Sequence, residues 1–326
     1  MMDIRITQLD GALPNIALMK LAHWHRAQGD RVVVTRSIEP DIFEPKYDVV
    51  YGSSIFRFSQ DRIDRFRHVW PQAVLGGTGT DSTVTVEDVV GLGTYEHYDY
   101  AGYDVDYSIG FTQRGCRLKC KFCVVPTKEG KNRSVNTINE IWRGPGHAKK
   151  LHLLDNDFFG QPEEQWQARI EEIIAGGFRV CLSQGINVRL INEAAAAALT
   201  RIEYRNTDFT RRRLYTAWDN IGDERVFFRG VDMLEAAGIP PKHLMAYMLV
   251  GFDKRETWDA IWHRFHRMVE RGILPYPMVF DRRRKDLTAF QRWVNTGLYR
   301  ATTWDEYRDK PANWRTYATE FAGVAA

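Results

Sequence analysis

Cysteine is scarce in this sequence, and its placement excludes a disulfide-stabilised protein. Only four cysteines occur among 326 residues, and Cys116, Cys120 and Cys123 fall within eight positions. Thiols this close in sequence cannot join distant elements, so a disulfide framework is not expected. The cluster instead predicts a metal site.

Long apolar runs and an excess of one charge are also missing. No uninterrupted apolar stretch approaches the ~20 residues of a membrane span, and the amino terminus lacks a signal-peptide core. The net charge is only +3, with 44% apolar and 27% charged residues. This balance is typical of a folded globular protein and does not by itself indicate a nucleic-acid partner. We expect a cytoplasmic protein with no membrane partner.

Apolar runs alternate with helical patterns along the chain, which favours an α/β fold with parallel sheets. A small sheet domain is predicted over 1–82, followed by a linker over 83–108 that has mixed acidic, glycine and tyrosine content and no clear period. A larger α/β domain is predicted over 109–285, and a carboxyl-terminal helical extension over 286–326.

Predicted strands and helices alternate regularly along the larger domain. Strands are predicted near 151–154, 178–183, 213–217, 244–250 and 273–280, with helices near 162–175, 190–201, 223–237 and 255–271 between them. This repetition predicts a full or partial β/α barrel, in which functional side chains collect at the carboxyl ends of the strands.

The three clustered cysteines have spacings of three and two intervening residues. Three thiolates can bind three irons of a cubane cluster and leave the fourth iron open for a substrate. A structural zinc site is the alternative, but it needs a fourth ligand. Cys181 or a histidine could supply one, although none stands at the ordinary pair spacing.

The pattern Cys-x3-Cys-x2-Cys, with the aromatic Phe122 just before the last cysteine, resembles the radical S-adenosylmethionine superfamily. The resemblance implies a 4Fe-4S cluster on Cys116, Cys120 and Cys123. It also implies that methionine's amino and carboxyl groups chelate the open iron, and that an electron breaks the bond from sulfur to the ribose carbon. A 5′-deoxyadenosyl radical then acts on the substrate, and an electron donor such as flavodoxin or ferredoxin is expected.

The same resemblance assigns cosubstrate contacts to residues that follow predicted strands. The segment Asp155-Asn156-Asp157-Phe158 resembles a family segment that accepts hydrogen bonds from the ammonium, and Arg189 suits a carboxylate. The alternative, purely structural interpretations are a turn at Asp155 and a surface salt bridge at Arg189. The complete set of expected cofactor-binding residues is Phe122, Asp155, Asn156, Asp157, Gln184, Asn187, Arg189, Asp219 and Gly251.

Cys181 lies in an apolar strand, where a free cysteine usually behaves as a small buried hydrophobe. A core role is therefore favoured over a role as hydrogen-atom donor or second-metal ligand. Cys181 is the one weak catalytic candidate, and the pattern identifies neither the substrate nor the product.

The first 82 residues resemble the cobalamin-binding-like, Rossmann-type domain that precedes the barrel in one branch of the superfamily. The similarity lies in Leu13–Leu18, Tyr47–Ser53 and Leu75–Thr80. If cobalamin binds, a cobalamin-dependent methyltransferase becomes the alternative function. However, the histidines before the cysteine motif fall outside the pattern Asp-x-His-x-x-Gly, so a vestigial domain without cobalamin is favoured. They are His23, His25, His68 and His97.

Basic and aromatic residues near the carboxyl end suggest an alternative function. Arg282–Lys285 precede a segment with Phe290, Arg292 and Trp293, a combination that can bind nucleic acid. A solvated helix face is the favoured interpretation. The rival of another class is thus a non-catalytic zinc or iron-sulfur module that binds nucleic acid.

Overall fold

A computed structural model describes residues 1–91 and 95–308 of the chain. The chain divides into two compact units, Met1–Ile109 and Gly110–Ala326. Both units are mixed α/β structures that contain parallel sheets, as the sequence predicts.

The first unit contains a four-stranded parallel sheet with the strand order β2-β1-β3-β4. Its helix α1 begins after Asn15, whose side-chain oxygen accepts the backbone N–H groups of Ala17 and Leu18 and so satisfies two free donors of the first turn. The elements are β1 Asp3–Gln8, α1 Ile16–Ala27, β2 Arg31–Thr35, β3 Val49–Ser53, α2 Gln60–Val69, β4 Val74–Gly76 and α3 Val86–Val90.

Apolar side chains pack on both faces of this sheet. Helix α1 contributes Leu18 and Leu21 to one cluster, and α2 contributes Ile63 and Phe66 to another. The predicted linker 83–108 belongs to this unit instead of connecting two domains. The reason is burial, because α3 and Tyr95 are part of the first cluster.

The second unit contains most of the helices. Strand β5 Ser108–Gly110 lies at the boundary between the units. The elements that follow are β6 Gln113–Arg114, α4 Val125–Lys128, β7 Arg133–Ser134, α5 Ile138–Ile141, β8 Lys150–Leu153, α6 Glu163–Gly176, β9 Arg179–Cys181, α7 Glu193–Thr200, β10 Glu203–Tyr204, β11 Leu214–Ala217, α8 Glu224–Ala236, β12 Leu244–Val250, α9 Trp258–Glu270, β13 Leu274–Val279, α10 Lys285–Asn295 and α11 Trp304–Arg308.

Two sheets carry the second unit, in the orders β10-β9-β8-β5 and β11-β12-β13, and strands β6 and β7 form a separate antiparallel hairpin. The five strands and four helices predicted from periodicity are confirmed to within three residues at each end. The strands β6, β7 and β10 were not predicted, because two-residue strands have no measurable alternation.

The helices pack against one face of these strands. Alternate strand residues such as Leu151, Val180 and Ala246 lie in one large apolar cluster with side chains of α6, α7, α8 and α9. Helix α10, predicted as part of an extension, adds Leu287 and Phe290 to the same cluster. Residues 309–326 of that predicted extension lie outside the described part of the chain.

Candidate metal centre

The three clustered cysteines lie on the segment that joins β6 to β7. We call residues 115–132 the cysteine loop. Cys116, Cys120 and Cys123 are each partly exposed. The backbone N–H of Cys123 donates to the carbonyl of Cys120 at 3.0 Å, so these two share a turn. The backbone N–H of Leu118 donates to Sγ of Cys116 at 3.4 Å, an interaction that favours a thiolate.

The two ends of the cysteine loop approach each other so closely that one of them must be glycine. Gly115 has a φ of +78°, and a Cβ atom there would lie 2.3 Å from the carbonyl oxygen of Lys131. The side-chain amide of Gln113 donates to the carbonyls of Arg114 at 2.6 Å and Gly115 at 2.7 Å. These contacts fix the base of the loop.

The carboxylate of Asp157 fixes one side of the loop. Asp157 is 0% exposed. It accepts hydrogen bonds from Nε of Arg117 at 2.7 Å and from the amides of Asn132 and Asn187, both at 3.3 Å. Donors from the cysteine loop and from the segment after β9 therefore meet at one buried acceptor.

Asp155 and Asn156 also have their hydrogen bonds inside the protein. The Asp155 carboxylate accepts the backbone N–H groups of Thr112 at 2.7 Å and Gln113 at 3.1 Å, and burial raises its pKa to about 7. The amide of Asn156 donates to Glu129 at 2.8 Å. Asn156 and Asp157 thus hold the cysteine loop directly, and Asp155 holds Thr112 and Gln113, which precede it.

Arg189 approaches the cysteines from the segment that follows β9. One guanidinium nitrogen lies 3.9 Å from Sγ of Cys120, and the other donates to Asp223 at 2.6 Å. The side chain is about one fifth exposed. Its cation therefore faces the cysteine loop, held there by an acidic partner.

Phe122 packs against aromatic residues that follow β12 and β13. Its ring meets Phe252 edge to face at 5.5 Å, and Phe252 meets Phe280 at 5.0 Å. Gly251, beside them, has a φ of +77° and donates its N–H to Glu256 at 3.1 Å. A cavity of about 310 Å³ opens at this point, lined by Gly251, Phe252, Glu256, Trp258, Phe280 and Arg284 among others.

Asp219 lies just after β11 and is partly buried, and this burial raises its pKa. It accepts the backbone N–H of Leu249 at 2.8 Å. Behind it lies Arg264, which is 0% exposed, donates to the carbonyls of Trp218 at 2.9 Å and Leu249 at 3.1 Å, and pairs with Glu256. Arg264 was not among the predicted site residues, although an arginine on the apolar side of a helix is a signal that the sequence contains.

Gln184 is the one predicted site residue that the structure leaves apart. Its side chain is exposed, and no described residue forms a hydrogen bond with it. The neighbouring Asn187 does join the site through Asp157. The polar segment after β9 therefore contributes Asn187 and Arg189.

The thiols affect one another electrostatically. Burial raises the pKa of Cys116 and of Cys123, and the negative charge of neighbouring thiolates raises each further. A metal cation would relieve this repulsion, so a donor set of three soft sulfurs fits an iron-sulfur cluster. Within 1–91 and 95–308, no group of three His, Cys, Asp or Glu side chains is already arranged to hold a single metal ion.

Cys181 is fully buried and separate from this loop. Its Sγ lies 3.7 Å from Nε2 of His152, which also lies 2.6 Å from the hydroxyl of Ser183. Burial raises the Cys181 pKa to about 12, so the thiol stays protonated. This environment does not suit a ligand of the cluster.

Side chains of the protein fill the position at which the first unit would bind a cofactor. Open parallel sheets bind ligands outside the carboxyl ends of strands where the connections diverge, here between β1 and β3. The side chain of Gln8 donates to the carbonyls of Asp10, Gly11 and Leu13 at 2.9, 3.0 and 2.9 Å. The Asp10 carboxylate accepts the hydroxyl of Ser54 at 2.6 Å.

The glycines of this region serve the same packing. A Cβ at Gly77 would lie 2.1 Å from the carbonyl oxygen of Ser54, and one at Gly79 would lie 2.6 Å from that of Phe56. These glycines therefore let two loops of the protein touch and do not open space for a corrin. His25 is buried against Asp30 and Tyr51, so it is not available to cobalt. The residues present do not fit cobalamin.

We expect the protein to retain no cobalamin. The measurement incubates it with hydroxocobalamin, removes free cofactor by gel filtration and records the corrin spectrum of the protein fraction. Albumin treated in the same way serves as a control for nonspecific adsorption of a large ring. Near-stoichiometric retention would contradict the packing argument and favour the cobalamin-dependent methyltransferase.

Ion pairs occupy several of the basic residues that suggested nucleic acid. Arg283 pairs with Asp281 at 2.7 Å, and Arg284 pairs with Asp286 at 2.6 Å. Trp293 is buried in the apolar cluster of the second unit. The arginines and the aromatic side chain therefore do not form one exposed surface, which supports the solvated-face interpretation.

No protein-family model and no curated protein was found to match this chain. Among the described residues, no helix combines the length and the apolar character needed to cross a membrane.

Proposed function

We propose that this chain is a radical S-adenosylmethionine enzyme in which Cys116, Cys120 and Cys123 hold a 4Fe-4S cluster. One observation carries the proposal: three thiols share a single loop that buried polar residues hold in place at its base and side. The one other cysteine, Cys181, is engaged with His152 on a different element. Three thiolates would leave one iron of a bound cubane without a protein thiolate and so open to a cosubstrate.

The architecture supports this proposal. We interpret the first unit as a Rossmann-like domain and the second as a full or partial β/α barrel. In such barrels the reacting groups collect at the carboxyl ends of the strands. Here Asp157 follows β8, Asn187 follows β9, Asp219 follows β11 and Gly251 follows β12. Asp157 accepts the backbone N–H of Arg117 in the cysteine loop, and Asn187 donates to Asp157.

When bound, the cluster would supply one electron for the reductive cleavage of S-adenosylmethionine to methionine and a 5′-deoxyadenosyl radical. The chain's own residues bind and orient the cosubstrate. Arg189 presents a cation beside Cys120, where it can pair with the methionine carboxylate. Gly251 and its cavity offer a backbone surface for the adenosyl part. A flavodoxin or ferredoxin is the partner we propose as electron donor.

Anaerobic reconstitution with iron and sulfide tests the proposal. The reconstituted protein should show the visible absorption of an iron-sulfur cluster and, with a strong reductant, convert S-adenosylmethionine to 5′-deoxyadenosine. A colourless zinc-loaded protein that binds nucleic acid and leaves S-adenosylmethionine intact would reject the proposal in favour of the rival module.

Arg189→Ala should leave the cluster in place but weaken S-adenosylmethionine binding by about 10-fold, the loss expected when a charge-assisted hydrogen bond is removed. Titration followed by the cluster spectrum measures the affinity. Arg201→Ala is the matched control, because Arg201 pairs with Glu171 on the exposed surface. Equal affinities in the two variants would contradict the role of Arg189.

A further inference from the structure

The strands of the second unit present an unusual set of side chains on the face opposite the helix-packed cluster. We call this set the tyrosine wall; its members are His152, Cys181, Ser183, Tyr215, Tyr247 and Tyr276. They alternate with buried apolar residues of the cluster, such as Leu151, Val180 and Ala246. Register pairs His152 with Cys181 and Tyr247 with Tyr276, so wall residues lie side by side across neighbouring strands.

The composition of the tyrosine wall is not that of a packed core. Parallel strands that are buried on both faces usually read as continuous runs of branched aliphatic residues. In this unit the helix-facing side follows that rule, but the opposite side carries hydroxyls, an imidazole and a thiol. Burying such groups is unfavourable unless they find hydrogen-bond partners. His152, Cys181, Ser183 and Tyr215 are buried, whereas Tyr247 and Tyr276 are partly exposed, so a ligand would reach the wall at these two rings.

The three tyrosine rings form a corner. Tyr215 and Tyr247 are nearly parallel, at 17° with centroids 5.9 Å apart. Tyr276 meets Tyr247 at 82° and 5.7 Å. A planar ring placed in this corner would meet the face of one tyrosine and the edge of another, the arrangements that aromatic pairs prefer.

One hydroxyl of the wall remains available to a ligand. The hydroxyl of Tyr247 donates to the carbonyl of Ser183 at 2.8 Å, and that of Tyr215 accepts the backbone N–H of Thr207 at 3.2 Å. No residue in the described part of the chain forms a hydrogen bond with the hydroxyl of Tyr276, which is partly exposed. Tyr276 can therefore donate to a ligand or accept from it.

The wall carries no formal charge near neutral pH. Burial lowers the pKa of His152 to about 4 and raises that of Cys181 to about 12, so both are neutral. Two charged groups that precede β11 act on the wall: the charge of Asp208 raises the pKa of Cys181, and that of Arg213 lowers the pKa of Tyr215. Arg213 donates to the carbonyl of Lys242 at 3.0 Å. A charged ligand would lose its hydration here without gaining a counter-ion on the wall.

We propose that the tyrosine wall binds the substrate, and that this substrate presents an uncharged aromatic or heteroaromatic ring with a hydrogen-bonding substituent. This inference rests on the proposed function. The wall belongs to the strands whose carboxyl ends carry Asp157, Asn187 and Gly251, so a ring on it lies on the elements that also position the cysteine loop.

Three small probes of similar size test the proposed class. Phenol has both the ring and the hydroxyl, cyclohexanol has the hydroxyl without a π-system, and benzoate has the ring with a charge. Ligand-observed NMR on the full-length protein, with and without the reconstituted cluster, measures the affinity of each. Phenol should bind several-fold more tightly than the other two probes.

Variants locate the binding. Tyr276→Phe should weaken phenol binding about fivefold, as expected for one lost hydrogen bond, and Tyr276→Leu should weaken it further because the ring is also lost. Tyr299→Phe is the matched control, since Tyr299 packs on the helical side against Phe265 and Trp293. Circular dichroism checks that each variant is folded.

Equal binding of all three probes, no binding of phenol, or phenol binding that Tyr276→Leu leaves unchanged would each overturn the inference. The proposed function has a separate readout, the cleavage of S-adenosylmethionine. If cleavage occurs and phenol does not bind, only the substrate class is wrong. If phenol binds at the wall but no cleavage occurs, the radical chemistry is wrong and the wall serves another reaction.

Discussion

Replacing Cys116, Cys120 or Cys123 by alanine should abolish both the visible absorption of the reconstituted cluster and the formation of 5′-deoxyadenosine. The expected loss of cleavage exceeds about 100-fold, because replacing even an outer-shell partner of a metal ligand typically costs 10- to 100-fold. Each cysteine supplies one of only three thiolates on the loop, and the fourth cysteine of the chain, Cys181, lies on β9.

Cys181→Ala is the control for this experiment. It removes the fourth cysteine of the chain without touching the loop, because its Sγ lies against His152. We expect iron content and absorption to stay at the level of the unsubstituted protein. The ligand assignment would be wrong if Cys181→Ala lost iron while one of the three loop cysteines proved dispensable.

The sequence predicts the strands and helices of the second unit well because their signals are local. β12 is a continuous apolar run, and apolar residues recur with helical spacing along α9; both elements appear where these patterns place them. Cysteine spacing is also local, so the three candidate ligands are read directly. The contacts of the predicted linker are not local in this sense, since α3 is short and its burial depends on partners elsewhere in the first unit.

Hydrogen-bond partners of the site residues could not be predicted in this way. Asp155 accepts from Thr112, which lies 43 residues earlier, and Asp157 accepts from Arg117, 40 residues earlier. A resemblance suggests that such carboxylates matter, but only the fold decides whether they face a ligand or a loop. The tyrosine wall was missed for a related reason, because its members come from five separate strand segments.

The partners of charged side chains could not be predicted from the sequence for the same reason, because most of them lie far away along the chain. Arg189 was expected either to bind a carboxylate or to form a surface salt bridge, and the structure places it between Asp223 and the Cys120 thiol. Arg264 is more deeply buried and satisfies two carbonyls and Glu256. Such a buried cation fixes the relative positions of the segments after β11 and β12, and these segments carry Asp219 and Gly251.

Asp157→Ala should lower the free energy of unfolding by about 3 kcal/mol, because it leaves buried donors without their acceptor. The Asp157 carboxylate is fully buried and accepts from Arg117, Asn132 and Asn187. Without it the cysteine loop loses its hydrogen bonds to this buried acceptor, so iron retention should fall as well. Urea unfolding and iron content per chain measure the two effects.

Two further variants separate the position of the carboxylate from its charge. Asp157→Asn keeps one acceptor oxygen and should show an intermediate loss of about 1.5 kcal/mol. Asp223→Ala removes a partly exposed carboxylate that pairs with Arg189, and should change stability by less than about 1 kcal/mol while iron stays bound. If Asp157→Ala retained iron as well as Asp223→Ala does, the cysteine loop would hold its shape without the buried carboxylate, and Asp157 would have to act on the cosubstrate instead.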